Sequence, residues 1–193
     1  MSNSPAAQTQ KTQLLQFNVA QLLKQITDAS RRYSIENAAL SNLDPDLVLL
    51  APLNGSVKLV KTGDDIFVTG RLTTVIELPC ARCLEPVQAP ITVDIEETFS
   101  PVVDIFSGKK LAPPKNADAA TLLTEHHLLD LTEVVRQDLF LSRPSQILCR
   151  PDCRGLCPVC GQNKNQADCN CRTNHIDARW AGLLARKQNL DTA

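Results

Sequence analysis

The sequence lacks the features that mark several classes of protein. No apolar run approaches the roughly 18 residues needed to cross a bilayer, and the opening segment MSNSPAAQTQKTQ is polar rather than signal-like. We therefore expect a cytoplasmic protein without a membrane partner. Glycine-rich phosphate loops, HExxH helices and Ser/His/Asp arrangements are also missing. His126 and His127 are expected to be exposed to solvent, so neither an enzyme nor a small-molecule substrate is expected.

Aromatic residues are few, at 4% of the chain. The stacking platforms of single-strand nucleic-acid-binding proteins need several aromatic side chains, so sequence-specific reading of bases is not expected. We assign Trp180 instead to the packing face of a last helix that ends near Gln188, because apolar residues recur there at helical spacing.

The net charge of -1 hides a separation of charge along the chain. Residues 44–135 sum to -7, whereas residues 143–193 sum to +4. A locally cationic segment attracts phosphates even when the whole molecule is nearly neutral. Candidates for contact with RNA or a protein partner are Arg143, Arg150, Arg154, Lys164 and Arg172. The alternative is that these residues are solvated surface charges.

Cysteine, in contrast, is abundant: there are eight, and six of them fall between positions 149 and 171. Without an export signal, metal binding is a better expectation than disulfide bonds. A Cys-x-x-Cys turn directs two thiolates at one metal ion, and a second close pair completes a tetrahedron. The first predicted zinc site comprises Cys157, Cys160, Cys169 and Cys171. The second predicted site comprises the other four, Cys80, Cys83, Cys149 and Cys153.

The use of these cysteines leaves alternatives open. Other pairings are possible, His175 is a possible substitute ligand for the first site, and Cys80 with Cys83 has the spacing of a thiol-redox pair. Redox pairs typically precede a helix, whereas this pair falls between predicted strands. We expect one or two structural zinc ions, and a second site that would staple the sheet to the cysteine-rich end of the chain.

Periodicity predicts an α+β fold in three parts. Residues 1–13 are interpreted as a disordered tail, residues 14–142 as a mixed body, and residues 143–193 as a zinc-knuckle module with a C-terminal helix. Alternating apolar residues between about 47 and 98 predict a small antiparallel β-sheet or a partly closed barrel. The Pro, Gly and Lys content of residues 100–120 predicts a flexible loop.

Two helices are predicted to flank the sheet. Asn18 is a candidate cap for a short amphipathic helix whose apolar positions extend to Ile26. Asp130 and Glu133 have the spacing of a capping box, and the apolar residues after them predict a second helix that stops before Pro144.

Three motifs in this order resemble the YceD-like family, the large ribosomal RNA subunit accumulation proteins of bacteria and plastids. They are the CARCLEP turn at 80–86, the LTEVVRQDL helix at 131–139, and the cysteine run at 149–161 followed by Cys169-Asn-Cys171. The resemblance covers the chain from about residue 15 onward.

The resemblance implies a role in ribosome assembly without enzymatic activity. By this resemblance the protein would support the synthesis, processing or stability of large-subunit (23S) ribosomal RNA. The implied partners are the precursor of this RNA, a ribosomal protein or an assembly factor. Two other functions stay open: a thiol-redox protein using Cys80 and Cys83, and a zinc-stabilised protein-interaction module without RNA contact.

Overall fold

The computed structural model describes residues 10–12, 15–26, 28–40, 47–171, 178–180 and 182. The chain divides into two compact units. The first comprises Met1–Leu78 with Pro86–Ile147, and the second comprises Pro79–Glu85 with Leu148–Ala193. The turn that carries Cys80 and Cys83 therefore belongs to the same unit as the cysteine-rich end of the chain, a grouping that the predicted boundary at 142/143 does not include.

The first unit is built on a six-stranded sheet and a small two-stranded one. The strands are β1 (Gln10–Thr12), β2 (Gln16–Asn18), β3 (Ser30–Ala38), β4 (Val48–Leu49), β5 (Leu53–Thr62), β6 (Asp65–Pro79), β7 (Pro86–Phe99) and β8 (Leu128–Asp130). The large sheet has the order β1-β3-β5-β6-β4, with β7 also paired to β6, and β2 pairs with β8. All pairs with a defined register are antiparallel except β1 with β3.

The long strands follow the predicted alternation because one face of the sheet is buried. β5 and β6 pair continuously from Asn54 opposite Thr73 to Thr62 opposite Asp65. Inward-facing side chains on β5, β6 and β7 are buried at every second position: Val57, Leu59, Ile66, Val68, Leu72, Ile76, Ile91, Val93 and Ile95. Among the described strands the sheet does not close into a barrel, so the antiparallel sheet is the predicted alternative that is confirmed.

The strand β3 is an element that periodicity did not predict. Its buried residues are Tyr33, Ile35 and Ala38, and the pairing register with β5 shifts between the last two. This bulge places Asn37 at a φ of 56° and breaks the period of two on which strand prediction depends. Residues 10–12, predicted to lie in a disordered tail, instead form β1 beside this strand.

The first predicted helix is much shorter than its apolar pattern indicates. The helix α1 covers only Ala20–Leu23, and Ile26, predicted to lie on its buried face, is 84% exposed. The Lys61 ammonium donates to the carbonyl oxygens of Leu23 and Gln25, each at 2.7 Å. These charged hydrogen bonds satisfy carbonyls at the end of the helix, and the chain turns into β3. Asn18, the predicted cap, lies one residue before the cap position Val19, although its Oδ1 accepts from the Ala20 amide at 3.0 Å.

The second predicted helix is confirmed as α2, Thr132–Leu141. Its inward face is buried, as the spacing of Leu131, Val134, Val135 and Leu139 predicts. The predicted capping box does not form, because the residue at the cap position is Leu131 and no side chain caps it. Asp130 Oδ1 accepts from the Thr132 amide at 2.8 Å, whereas the Glu133 carboxylate turns to the Arg136 guanidinium, which lowers the pKa of Glu133 to about 2.

The remaining predictions concern the segments before and after α2. Residues 100–120 contain isolated bridges and the start of a short 3-10 turn, Ala119–Thr121, and their flexibility stays a prediction. His126 is exposed as expected, but His127 is half-buried. Trp180 lies in a 3-10 turn, Ala178–Trp180, and is 56% exposed, so the assigned packing role is wrong. Most of the predicted last helix lies outside the described residues.

No helix in the described ranges combines the length and the apolar character that a membrane crossing requires.

Candidate metal centre

The turn between β6 and β7 presents its two cysteines toward the interior of the second unit. The Cys80 amide donates to the Glu85 carbonyl at 2.8 Å, and the Leu84 amide donates to the Cys80 carbonyl at 3.0 Å. Leu84 has a φ of 62°, which lets the chain reverse within six residues. As a result the side chains of Cys80 and Cys83 are buried, while that of Leu84 is 63% exposed.

Four thiols converge at this turn, and we name them the turn cluster: Cys80, Cys83, Cys149 and Cys153. Their sulfur atoms all lie within 4.8 Å of one another. Cys80 Sγ is 3.8 Å from Cys153 Sγ, and Cys83 Sγ is 3.6 Å from Cys149 Sγ. A disulfide needs a separation of about 2.05 Å, whereas four sulfurs around one zinc at about 2.3 Å lie roughly 3.8 Å apart. The spacing is too wide for disulfides, and the turn cluster could hold a metal ion.

The other four cysteines form what we name the knuckle cluster: Cys157, Cys160, Cys169 and Cys171. Their sulfurs also lie within 4.8 Å of one another. The Cys157 amide donates to the Gln162 carbonyl at 2.8 Å, and the Gly161 amide donates to the Cys157 carbonyl at 2.9 Å. Gly161 has a φ of 74°, a conformation that glycine adopts without steric cost. The Cys-x-x-Cys segment thus closes into the tight knuckle that the spacing predicts.

In each cluster the pKa of one thiol is lowered and the pKa of another is raised. Backbone amides lower the pKa of Cys80 and of Cys157 to about 6. Burial raises the pKa of Cys149 to about 12, and a hydrogen bond with the Cys160 thiol raises that of Cys171 to about 12. Four sulfurs at this separation cannot all carry negative charge without a nearby cation. A bound metal ion would supply that charge and would let all four thiols ionise.

The donor chemistry fits a structural metal ion at each cluster. All eight ligand atoms are thiol sulfurs, and four sulfurs fill a tetrahedral coordination shell without an open position. Catalytic zinc sites instead leave one position for water or substrate. The structure groups the eight cysteines in the two predicted sets, and each set could hold one metal ion. His175, considered as a substitute ligand, lies outside the described residues.

The surroundings of Cys80 and Cys83 differ from those of a thiol-redox pair. Redox Cys-x-x-Cys motifs precede a helix, whose amino end stabilises the reactive thiolate. This motif instead joins two strands of 15 and 14 residues. Each of its sulfurs also has a further cysteine sulfur within 4 Å, at Cys153 and Cys149 respectively.

Of the five basic residues proposed as contacts, Arg150, Arg154 and Lys164 are described residues of the second unit. Arg143 belongs to the first unit, and Arg172 lies outside the described residues. In the second unit, Arg154 forms an ion pair with Asp168 at 2.5 Å, and Arg150 approaches Asp152 at 3.6 Å. These carboxylates offset part of the positive charge that the sequence places there.

Sequence reasoning missed the polar residues that support the turn cluster. Arg82 donates to the Cys153 carbonyl at 2.8 Å, and Asn165 donates from Nδ2 to Cys153 Sγ at 3.3 Å. Metal-binding side chains commonly depend on such outer hydrogen bonds. The available signal was the Asn163-Lys164-Asn165 triplet between the two ligand pairs of the knuckle, because side-chain amides can donate to thiolates.

Taken together, the fold and the clusters define a class: a two-unit α+β protein whose second unit is organised around two four-cysteine centres that could hold metal ions. Comparison with known proteins narrows this class. Residues 68–185 match the family described as large ribosomal RNA subunit accumulation protein YceD. Since the match covers more than half of the chain, the protein belongs to the YceD family.

The individual relatives have modest sequence identity to this chain. An uncharacterised protein of Mycobacterium tuberculosis is 30% identical over 139 residues, which is 69% of this chain and 61% of the relative. The large ribosomal RNA subunit accumulation protein YCED homolog 1, chloroplastic, of Zea mays is 26% identical over 65% of this chain and 50% of its own length. The uncharacterised protein YlbN of Bacillus subtilis is 24% identical over 78% of this chain and 83% of its own length.

The match spans about 61% of the length of the mycobacterial relatives. No solved structure is significantly similar to the chain.

Proposed function

We propose that this protein is a non-enzymatic ribosome-biogenesis factor, stabilised by structural zinc, that acts in the cytoplasm. It would support the synthesis, processing or stability of large-subunit (23S) ribosomal RNA. The observation that carries this proposal is the pair of all-cysteine clusters in a chain of the YceD family. The plant relatives are named for the accumulation of large-subunit ribosomal RNA.

Zinc is the metal that suits these clusters best. Thiolate sulfur is a soft ligand, and tetrahedral four-sulfur sites are typical of zinc or of iron in small clusters. Zinc has no redox chemistry and takes tetrahedral geometry without strain, which suits a site with a purely architectural role. The ion at the turn cluster would join segments that are far apart in sequence, such as those of Cys83 and Cys149.

The closed coordination shells argue for binding rather than catalysis. A zinc ion held by four thiolates has no position at which to activate water, and among the described residues neither cluster includes a histidine or carboxylate ligand. The metal would therefore shape a surface on which a partner docks. That partner would be the ribosomal RNA precursor, a ribosomal protein or an assembly factor.

A second candidate is a zinc-stabilised module that binds only protein. Two observations favour it. The Arg154–Asp168 ion pair reduces the charge available to phosphates. Each cluster also has an exposed apolar side chain beside its cysteines, Leu84 at 63% and Val159 at 62%. Exposed apolar residues of this kind contact proteins more readily than phosphates. Binding dominated by phosphate contacts would weaken steeply with salt, whereas apolar contact would not.

Depletion of the protein tests the main proposal. We expect free large-subunit particles to fall or to sediment abnormally, and the ratio of precursor to mature 23S RNA to rise. Sucrose gradients and RNA blotting measure both, with re-expression of the wild-type chain as the control. Unchanged particles and unchanged RNA ratios would contradict the assembly role. A pull-down with this protein separates the two candidates. Recovery of a ribosomal protein without RNA at all salt concentrations would favour the second candidate.

A further inference from the structure

The loop between the two ligand pairs of the knuckle cluster reaches the turn cluster. This loop, residues 161–168, is enclosed by Cys157 and Cys160 on one side and by Cys169 and Cys171 on the other. Its amide side chains point toward the other cluster and donate to Cys153 and Glu85. A metal ion at the knuckle would close the loop that carries these donors.

Asn165 is the most direct connection. Its Nδ2 donates to Cys153 Sγ at 3.3 Å and to Asn163 Oδ1 at 3.0 Å, and its Oδ1 accepts from the Arg154 amide at 2.8 Å. A backbone N–H can only donate, so the atom facing Arg154 is the oxygen and the nitrogen faces the sulfur. Every polar atom of this side chain is therefore used in holding the loop against the thiol.

A second set of hydrogen bonds holds the turn that carries Cys80. Asn163 Nδ2 and Gln166 Nε2 both donate to Glu85 Oε1, at 3.2 and 3.0 Å. The Glu85 carbonyl in turn accepts from the Cys80 amide at 2.8 Å. The Leu156 amide, next to Cys157, also donates to the Arg82 carbonyl at 3.0 Å. Both halves of the turn cluster are thus supported from the knuckle loop.

We infer that the two clusters bind metal with positive cooperativity, and that Asn165 is the positioning residue that couples them. Closing the knuckle loop around its own ion fixes its backbone, so the cost of ordering Asn163, Asn165 and Gln166 is met before the turn cluster is filled. The turn cluster then binds its ion with its outer hydrogen bonds in place. This inference rests on the proposed metal content of the clusters.

The size of the effect follows from outer hydrogen bonds in other metal sites. Loss of one such bond typically lowers metal affinity by about 10- to 100-fold. We expect the variant Asn165→Asp to lower the zinc affinity of the turn cluster by about this factor. The carboxylate still accepts from the Arg154 amide, but it cannot donate to Cys153 Sγ and it places negative charge beside the thiolate.

The matched control is Gln162→Glu. It adds the same charge to the same loop, at an exposed side chain. Zinc affinities of the full-length chain are measured by competition with a chromogenic chelator. Nuclear magnetic resonance of the ¹¹³Cd-loaded chain gives each cluster its own signal, and Cys149→Ser assigns the signal of the turn cluster. Asn165→Asp should shift that signal, because the sulfur loses a hydrogen-bond donor, whereas Gln162→Glu should leave it in place.

The coupling itself is measured in a chain without the knuckle ligands, Cys169→Ser with Cys171→Ser. We expect the affinity of the turn cluster to fall at least about 10-fold there, and Asn165→Asp to have no further effect in that background. Additive effects of the changes, or an Asn165→Asp chain indistinguishable from Gln162→Glu, would overturn the inference while leaving two zinc sites standing. A wild-type chain that takes up no metal would overturn the zinc proposal as well.

Discussion

Replacing Cys157 with serine is expected to remove the metal ion of the knuckle cluster and to unfold the knuckle, residues 157–171. The Cys157 side chain is buried, and its sulfur belongs to the knuckle cluster. A serine hydroxyl does not replace a thiolate in a four-sulfur site. Structural zinc supplies about 10–16 kcal/mol of folding free energy in small zinc-dependent units, which is comparable with the whole stability of an ordinary domain.

The readout is hydrogen exchange followed by mass spectrometry, together with elemental analysis. Peptides within 157–171 should lose their protection in Cys157→Ser, while peptides from β5 and β6 should keep it. Val159→Ser is the matched control, because it lies in the same knuckle, is 62% exposed and keeps its backbone amide. A Cys157→Ser chain that retained both its metal content and its protection would refute the proposed ligand set.

The second large effect is expected in the sheet, from Gly55→Ala. A Cβ at this position would lie 2.0 Å from the Arg71 carbonyl oxygen and 3.0 Å from Leu72 Cα, both of them backbone atoms of the paired strand β6. Backbone in the middle of a sheet cannot swing aside as a flexible side chain does. The strands must separate locally, and we expect a loss of about 3 kcal/mol or more in the free energy of unfolding, the upper end for overpacked sites.

Urea unfolding followed by far-ultraviolet circular dichroism measures this loss, since strands of the first unit dominate the signal. Gly63→Ala is the control. Gly63 lies in the turn between β5 and β6, with a φ of 62° and nothing within 4 Å of an added Cβ. Its cost should be only about 1–2 kcal/mol, from the left-handed backbone alone. Equal losses for the two variants would show that the close approach at Gly55 is not a tight constraint.

The candidate site was predictable from sequence because the cysteines of each pair lie close together along the chain. Cys-x-x-Cys spacing fixes which sulfurs share a turn, and only pairing between turns needs tertiary structure. The structure brings together the same two sets of four that the spacing predicts. What spacing cannot give is the support around them: Asn165 contacts Cys153 across 12 positions, and Gln166 contacts Glu85 across 81.

The errors in the fold have a common physical cause. The pattern before β3 has helical spacing through Ile26, but hydrogen bonds from Lys61, on β5, end the helix after one turn. β3 itself was missed because its bulge interrupts the alternation. A distant partner and a local bulge thus each interrupt a regular pattern, whereas α2 and the strands β5 to β7, which bury one regular face, were predicted correctly.

Placing both clusters in one unit changes what the second site is expected to do. Cys80 and Cys83 are reached by the chain only after the long strand β6, yet they belong with Leu148–Ala193. Both ions would therefore organise the same unit, and the staple between the sheet and the cysteine-rich end stays a prediction. Loss of either ion should therefore impair the surface of the same unit.

The most direct test of this account is the metal content of the full-length protein, purified under reducing conditions and measured by elemental analysis together with a count of free thiols. The account predicts two zinc ions per chain, with all eight cysteines reduced and released as free thiols once the metal is removed. A single ion would contradict one of the two clusters. A metal-free chain would contradict the account as a whole.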